Sequence, residues 1–269
     1  MSLFIYKYDP DSGEDIFADR KDLTQSEINN LRTTFAVADL EVGDEIKILA
    51  TANISIPQSV TEMEEVQMAM FGVEITDYNG TFNQVTTGAL RSEGFAMFGE
   101  AEATISDKGF TPIDLLLINL CSKVSFKLSL SDTFSEKYPG NVRVNNISVR
   151  NTPTTLYDLF SGNILDYYHL QETVALDNIY QNQFYLFYSQ PTFTVDATYD
   201  IDGDFTTKDD QTPMKYKIEI KDEYGSNVNL EPSTYWRING KINGLNGTGV
   251  VLSIVSGDWM SAKSYDIEL

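Results

Sequence analysis

The feature that most constrains this chain is a two-residue alternation, repeated segment after segment through its last third. Phe193, Val195, Ala197, Tyr199 and Ile201 alternate with Thr194, Asp196, Thr198 and Asp200. Tyr216, Ile218 and Ile220 alternate with Lys217, Glu219 and Lys221. Trp236, Ile238, Gly240 and Ile242 share one parity, with Tyr235, Arg237, Asn239 and Lys241 on the other. Successive side chains of a strand point to opposite faces, so this is the pattern of half-buried antiparallel strands. A turn-rich run from Gly244 to Gly249 leads into Val250–Val255 and a late Trp259. No enzyme motif interrupts this β-rich third. A scaffold or assembly role fits it.

Upstream, Phe4–Tyr8 reads as a strand, broken by Asp9-Pro10-Asp11-Ser12-Gly13 and followed by a return strand near Ile16-Phe17. Thr24 with Glu27 is a capping-box pattern that predicts a short helix over residues 25–32. Phe35–Leu40 and Glu45–Ile56 read as strands. A second capping pattern, Thr61 with Glu64, starts an amphipathic segment with Met63, Val66 and Met70 on its core face. Glycines punctuate residues 76–112, which places a domain boundary at Pro112. The expected domains are residues 4–112 and 113–269. The second holds strands over 113–130, 142–150, 183–188, 192–201, 214–221, 234–243 and 249–256, enough for a β-sandwich.

Length and charge narrow the function. At 269 residues two domains are expected. Forty acidic against 19 basic residues give a net charge of −21. That field repels phosphate backbones and anionic lipid, arguing against nucleic-acid binding and electrostatic membrane docking. A single cysteine, Cys121, forbids an internal disulfide and sits in the apolar run Leu115–Val124, where a small buried thiol is expected. No run reaches the roughly 20 apolar residues that cross a bilayer. No signal peptide is visible at the start, which says little of native location.

The inventory for chemistry is thin. His169 and Cys121 are each the only one of their kind, so a multi-histidine metal site is impossible. No nucleophile elbow, phosphate-binding loop or dinucleotide fingerprint is present. Asp200-Ile201-Asp202-Gly203-Asp204 begins like a calcium loop, but its glycine stands at position four and Gln211 at position twelve. Asp9, Asp11 and Gly13 fail likewise, with Arg20 at position twelve. A solvated turn is the preferred reading of both. Nothing singles out a carboxylate pair for glycoside hydrolysis. Tyr157, Tyr167, Tyr168 and Tyr180 lie in less regular sequence and could stack on sugars. Glycosylation-type sequons occur at Asn53, Asn79, Asn146 and Asn246. The expectation is no catalytic residue, no metal and no cofactor.

Several segments, taken in order, carry a family resemblance. Phe4-Ile5-Tyr6 leads to Asp9-x-Asp11-Ser12-Gly13. Ala38-Asp39-Leu40-x-x-Gly43-Asp44 runs through Ile46 and Ile48 to Ala50-x-Ala52-Asn53. Phe95-Ala96-Met97-Phe98-Gly99 precedes Leu117-x-x-Leu120-x-Ser122-Lys123-Val124, and Tyr235-x-x-Ile238-x-Gly240-x-Ile242, Val250–Val255 and Trp259 close the order. In this the chain resembles the fimbrillin family, the two-domain pilus subunits and anchors of Bacteroidetes. Asn119 stands where that pattern has Arg, Ser122 where it has Ala, and Glu231-Pro232 where it has Arg-Asn.

The resemblance implies an all-β chain of two transthyretin-like antiparallel β-sandwich domains with short peripheral helices. It also implies a non-enzymatic fimbrial role at the cell surface or outer membrane, and adhesion. Partners would be other pilus subunits and a host or bacterial surface protein or glycan, with membrane contact only through a lipid anchor. Assembly would proceed by donor-strand exchange after an arginine is cut near the first strand, for which Arg20 and Arg32 are the candidates. The candidate leaving strand carries Phe4, Tyr6 and Tyr8 on one parity; the candidate donor carries Tyr265, Ile267 and Leu269. The competing readings are a carbohydrate-binding surface lipoprotein that does not polymerise and, less favoured, an acidic β-sandwich hydrolase.

Overall fold

The computed structural model describes residues 1–75, 94–155, 168–170, 174–175, 180–222, 224–245, 250–258 and 263–268. Met1–Val73, Ser92–Leu120 and Met260–Leu269 form one compact unit; Glu74–Arg91 and Cys121–Trp259 form another. Both are built of strands with short helices, numbered here along the chain.

The first unit contains β1 (Ser2–Asp9), β2 (Glu14–Asp22), α1 (Gln25–Asn30), β3 (Arg32–Thr34), β4 (Glu45–Ala52), α2 (Met63–Phe71), β5 (Met97–Thr104), β6 (Pro112–Asn119) and, from the far end of the chain, β16 (Lys263–Glu268). Its strands run β2-β1-β4-β5-β6-β16-β3 in one seven-stranded sheet. β5 and β6 share only Met97↔Asn119 and Phe98↔Ile118. There the sheet turns on itself, because Gly99 lets the two backbones touch: a Cβ on Gly99 would lie 2.4 Å from the Leu116 carbonyl oxygen. The folded sheet encloses Leu3, Ile5, Ile46, Ile48 and Ala50 against Ile113, Leu115 and Leu117. On the other face of β1 and β4, Phe4, Tyr6 and Leu49 pack with Ile56 and Val66, the latter from α2.

The cap on α1 forms as its sequence predicts. The Glu27 N–H donates to Thr24 Oγ1 while the Glu27 carboxylate accepts from the Thr24 N–H at 2.8 Å. Leu31, at φ 54°, ends the helix in a left-handed turn, so it stops short of residue 32. Glu27 also accepts from the Thr33 hydroxyl at 2.6 Å, tying helix to strand β3. The bonds from Thr33, then those from Thr24, hold the Glu27 carboxyl down at about 2 from its ordinary 4.5. A depressed folded-state pKa gives stability that is present above about pH 4.5 and lost as pH falls towards 2. The melting-temperature gap between wild type and Glu27→Gln should therefore narrow on acidification from pH 6 to pH about 2.5. A constant gap would mean that the carboxylate does not hold these bonds.

The second cap is not built as expected. α2 begins one residue after Glu62, which makes no side-chain cap bond, although Val66 and Met70 are buried as predicted. Met68 on its other side is exposed. The expected strand Phe35–Leu40 is also absent: the backbone turns at Asp39, φ 62°, while Phe35, Val37 and Leu40 still pack on the core. Apolar spacing reported the burial correctly and the backbone incorrectly.

The second unit contains β7 (Cys121–Leu130), α3 (Asp132–Lys137), β8 (Asn141–Arg150), β9 (Tyr168–Leu170), β10 (Val174–Ala175), β11 (Tyr180–Phe187), β12 (Thr192–Asp200), β13 (Gln211–Glu219), β14 (Thr234–Ile242) and β15 (Val250–Asp258). One sheet runs β10-β8-β12-β13, with β9 also on β8; the other runs β11-β7-β14-β15. Phe126 of β7 stacks on Phe193 of β12 at 5.2 Å and joins the two layers. The pairing is antiparallel except that β14 lies parallel to β7 and β16 parallel to β3. The helix α3 was not anticipated. Ser131 caps it by accepting from the Phe134 N–H at 3.1 Å, and buried Phe134 sets its ring edge to face against Tyr199.

The units divide elsewhere than at residues 112 and 113. The segment 113–130 is two strands, β6 and β7, separated at Leu120, and β6 stays in the first sheet. Parity explains the break. Ile113, Leu115 and Leu117 are buried at odd positions, whereas Val124, Phe126 and Leu128 are buried at even ones. A strand cannot change its buried parity without a bulge or a break. Residues 263–268 likewise belong to the first sheet.

Candidate functional site

The candidate leaving strand is an interior strand. β1 pairs with β2 on one side and β4 on the other. Its run Leu3-Phe4-Ile5-Tyr6 is apolar without alternation, and all four residues are buried. Such a run belongs between two packed layers. Phe4 and Tyr6 therefore share a buried face as expected, but Tyr8 is 41% exposed. Tyr6 donates to the Thr61 carbonyl at 3.0 Å and meets Phe17 edge to face at 5.9 Å. Burial, helped by the charge of Glu62, pushes its hydroxyl pKa up to about 12.

Arg20 is a clasp. It lies in β2 opposite Phe4, with its guanidinium 4.8 Å above the Phe4 ring. It donates to the Pro57 carbonyl at 2.8 Å, the Ile56 carbonyl at 3.0 Å and Asp22 at 3.1 Å. A trypsin-like protease must draw the arginine side chain into its own pocket, so these contacts protect the following bond. Arg32 begins the three-residue strand β3 and is exposed. Arg32 is the more exposed of the two candidate processing sites.

The candidate donor forms a strand of its own chain. β16 pairs antiparallel with β6, matching Tyr265 to Leu115 and Ile267 to Ile113. On its other side it runs parallel to β3, with Asp266 beside Arg32. Leu269 lies outside the described residues, as do Tyr157, Tyr167, Asn79, Asn246 and Trp259. Strands contributed by the two ends of the sequence thus meet in one sheet, with an arginine beside each: Arg20 against β1 and Arg32 against β16.

The remaining candidates sort by burial. Cys121 is fully buried and burial drives its thiol pKa far up, so it is an inert core thiol. The Asp9 turn is internally satisfied: its carboxylate accepts from the Asp11 N–H at 3.1 Å and the Ser12 hydroxyl at 2.8 Å. Asp200, Asp202 and Asp204 do converge, with one carboxylate oxygen of each within 4.8 Å of the others. Of the exposed rings, Tyr8, Phe110 and Tyr224 make no contact with another ring among the described residues.

No protein-family model and no curated protein matches the chain. Solved structures do. A protein of Bacteroides eggerthii aligns over 99% of this chain and 90% of its own, at 11% identity and a TM-score of 0.50. A protein of Parabacteroides distasonis aligns over 96% of this chain and 94% of its own, at 11% identity and a TM-score of 0.51. Another from the same species aligns over 97% and 89%, again at 11% and 0.51. Each of the three is described as a "putative cell adhesion protein". This chain shares their fold. The two-part β architecture implied by the fimbrillin resemblance is the one found, and at 11% identity the likeness concerns the fold alone.

Proposed function

We propose that the chain is a non-enzymatic, fimbrillin-like subunit or accessory of a cell-surface fimbrium, serving adhesion and joining its neighbours by strand exchange. The observation that carries this is the meeting of the chain's first and last described strands in one sheet. β1 precedes both arginines in the chain, so a cut there separates it from the rest of the sheet, and a strand from a neighbour can take its place beside β4. Cutting after Arg32 would free β1 together with β2, and cutting after Arg20 would free β1 with Glu14–Arg20 of β2; either leaves β4 as an edge beside the apolar residues that packed on β1, among them Ile113, Leu115, Ile56 and Val66. An exposed edge over an apolar floor is a template for an added strand. The donor in this reading is residues 261–269 of another subunit, the other pilus subunits being the partners and the cell surface the location. The fold shared with cell-adhesion proteins supports it.

The test begins with an arginine-specific protease on the native chain. Cleavage after Arg32 should precede cleavage after Arg20 by at least about ten-fold in rate, because the Arg20 side chain is held by four hydrogen-bond acceptors. The uncut chain should be monomeric by light scattering. Once cut and freed of residues 1–32, it should form oligomers that disappear when residues 261–269 are deleted. A stripped protein that stays monomeric, or one that oligomerises equally without residues 261–269, would remove the strand-exchange reading.

A further inference from the structure

We infer that Asp200, Asp202 and Asp204, in the loop joining β12 to β13, form a calcium site in the second unit. Oxygens from the three carboxylates lie within 4.8 Å of one another. Among the described residues no lysine or arginine forms an ion pair with any of them, so the cluster holds concentrated negative charge without a protein cation. Asp200 supplies the second, independent observation. It is fully buried, at 0% exposure, and its Oδ2 has no hydrogen-bond partner. A buried carboxylate oxygen left bare is costly unless something positively charged meets it. A hard divalent cation bound by oxygen ligands meets that need.

The rest of the loop fits a cation. Asp200 Oδ1 accepts from the N–H groups of Asp202 at 3.2 Å and Gly203 at 2.9 Å. Asp202 Oδ1 accepts from Asp204, and Asp204 Oδ1 accepts from the N–H and hydroxyl of Thr206. One oxygen of each carboxylate thus fixes the loop. The Gly140 backbone lies close against the carbonyls of Asp200 and Ile201. Calcium tolerates an irregular set of carboxylate ligands better than magnesium, which demands a near-octahedral shell.

Calorimetric titration of calcium into the chelator-treated full chain tests this. One saturable site is expected, with a dissociation constant at or below about 1 mM, the range of extracellular modules, and calcium should raise the melting temperature of the chain. Asp202→Asn with Asp204→Asn keeps the loop's Oδ1 acceptors while removing two charges. The double variant should bind at least about ten-fold more weakly yet melt no lower than wild type in chelator, because two repelling charges are gone. Asp202→Asn alone serves as a second variant should the pair disturb the fold. No saturable binding up to about 10 mM calcium, or unchanged affinity in the variants, would overturn the assignment.

Discussion

Phe4→Ala should cost the first unit about 3–5 kcal/mol, the range for truncating a fully buried aromatic ring. Phe4 is 0% exposed, packs with Tyr6, Leu49, Ile56 and Val66, and carries the Arg20 guanidinium on its face. Alanine would leave a cavity under that cation and loosen its hold on the Ile56 and Pro57 carbonyls. Denaturant unfolding would read the loss, and hydrogen exchange should place it in residues 1–73. A loss below about 1 kcal/mol would show that β1 is only lightly seated. The number bears on assembly. Leu3, Phe4, Ile5 and Tyr6 are all buried, and at roughly 1.5–3 kcal/mol each they retain β1 by something on the order of 10 kcal/mol. A cut alone does not supply that. An incoming strand must offer comparable apolar side chains as it displaces the old one.

Gly140→Ala should cost the second unit about 3 kcal/mol or more, combining two penalties. Gly140 has φ +90°, where a side chain adds roughly 1–2 kcal/mol of strain. Its Cβ would also stand 2.0 Å from the Asp200 carbonyl oxygen and 2.5 Å from that of Ile201, so backbone must move. Gly225→Ala is the matched control: φ is +84° there, but nothing lies within 4 Å, so it should cost only the strain. Equal losses from the two substitutions, measured as shifts in the unfolding midpoint, would show that the close approach at Gly140 is absent in solution.

Much of this was legible in residue order. Strand β1 announced itself as a continuous apolar run, and α1 by Thr24 and Glu27. The strands of the last third followed their alternation closely, since a half-buried strand has one solvent face to mark it. The boundary was missed because Leu115–Val124 is apolar throughout, although the shift of buried parity between Leu117 and Val124 was there to be read. The placement of β16 could not be read. Alternation in Tyr265-Asp266-Ile267 describes a strand without saying which sheet receives it, and that depends on β6 and β3, more than a hundred residues away in the chain. The clasp at Arg20 escaped for a similar reason: its acceptors are main-chain carbonyls, which leave no trace in residue identity. The calcium loop was discounted on spacing alone. What distinguishes it is a bare buried oxygen on Asp200, a property of packing.

The discontinuity of the first unit sets a timetable. Its sheet needs residues 263–268 between β6 and β3, so it cannot close when residues 1–120 have emerged from the ribosome or crossed a membrane. Through that interval β6 waits with one flank unpaired while the whole of residues 121–259 is delivered. The part of the molecule made first is thus the part completed last, and a nascent chain stalled before residue 263 would present an open edge to any neighbour in the same state.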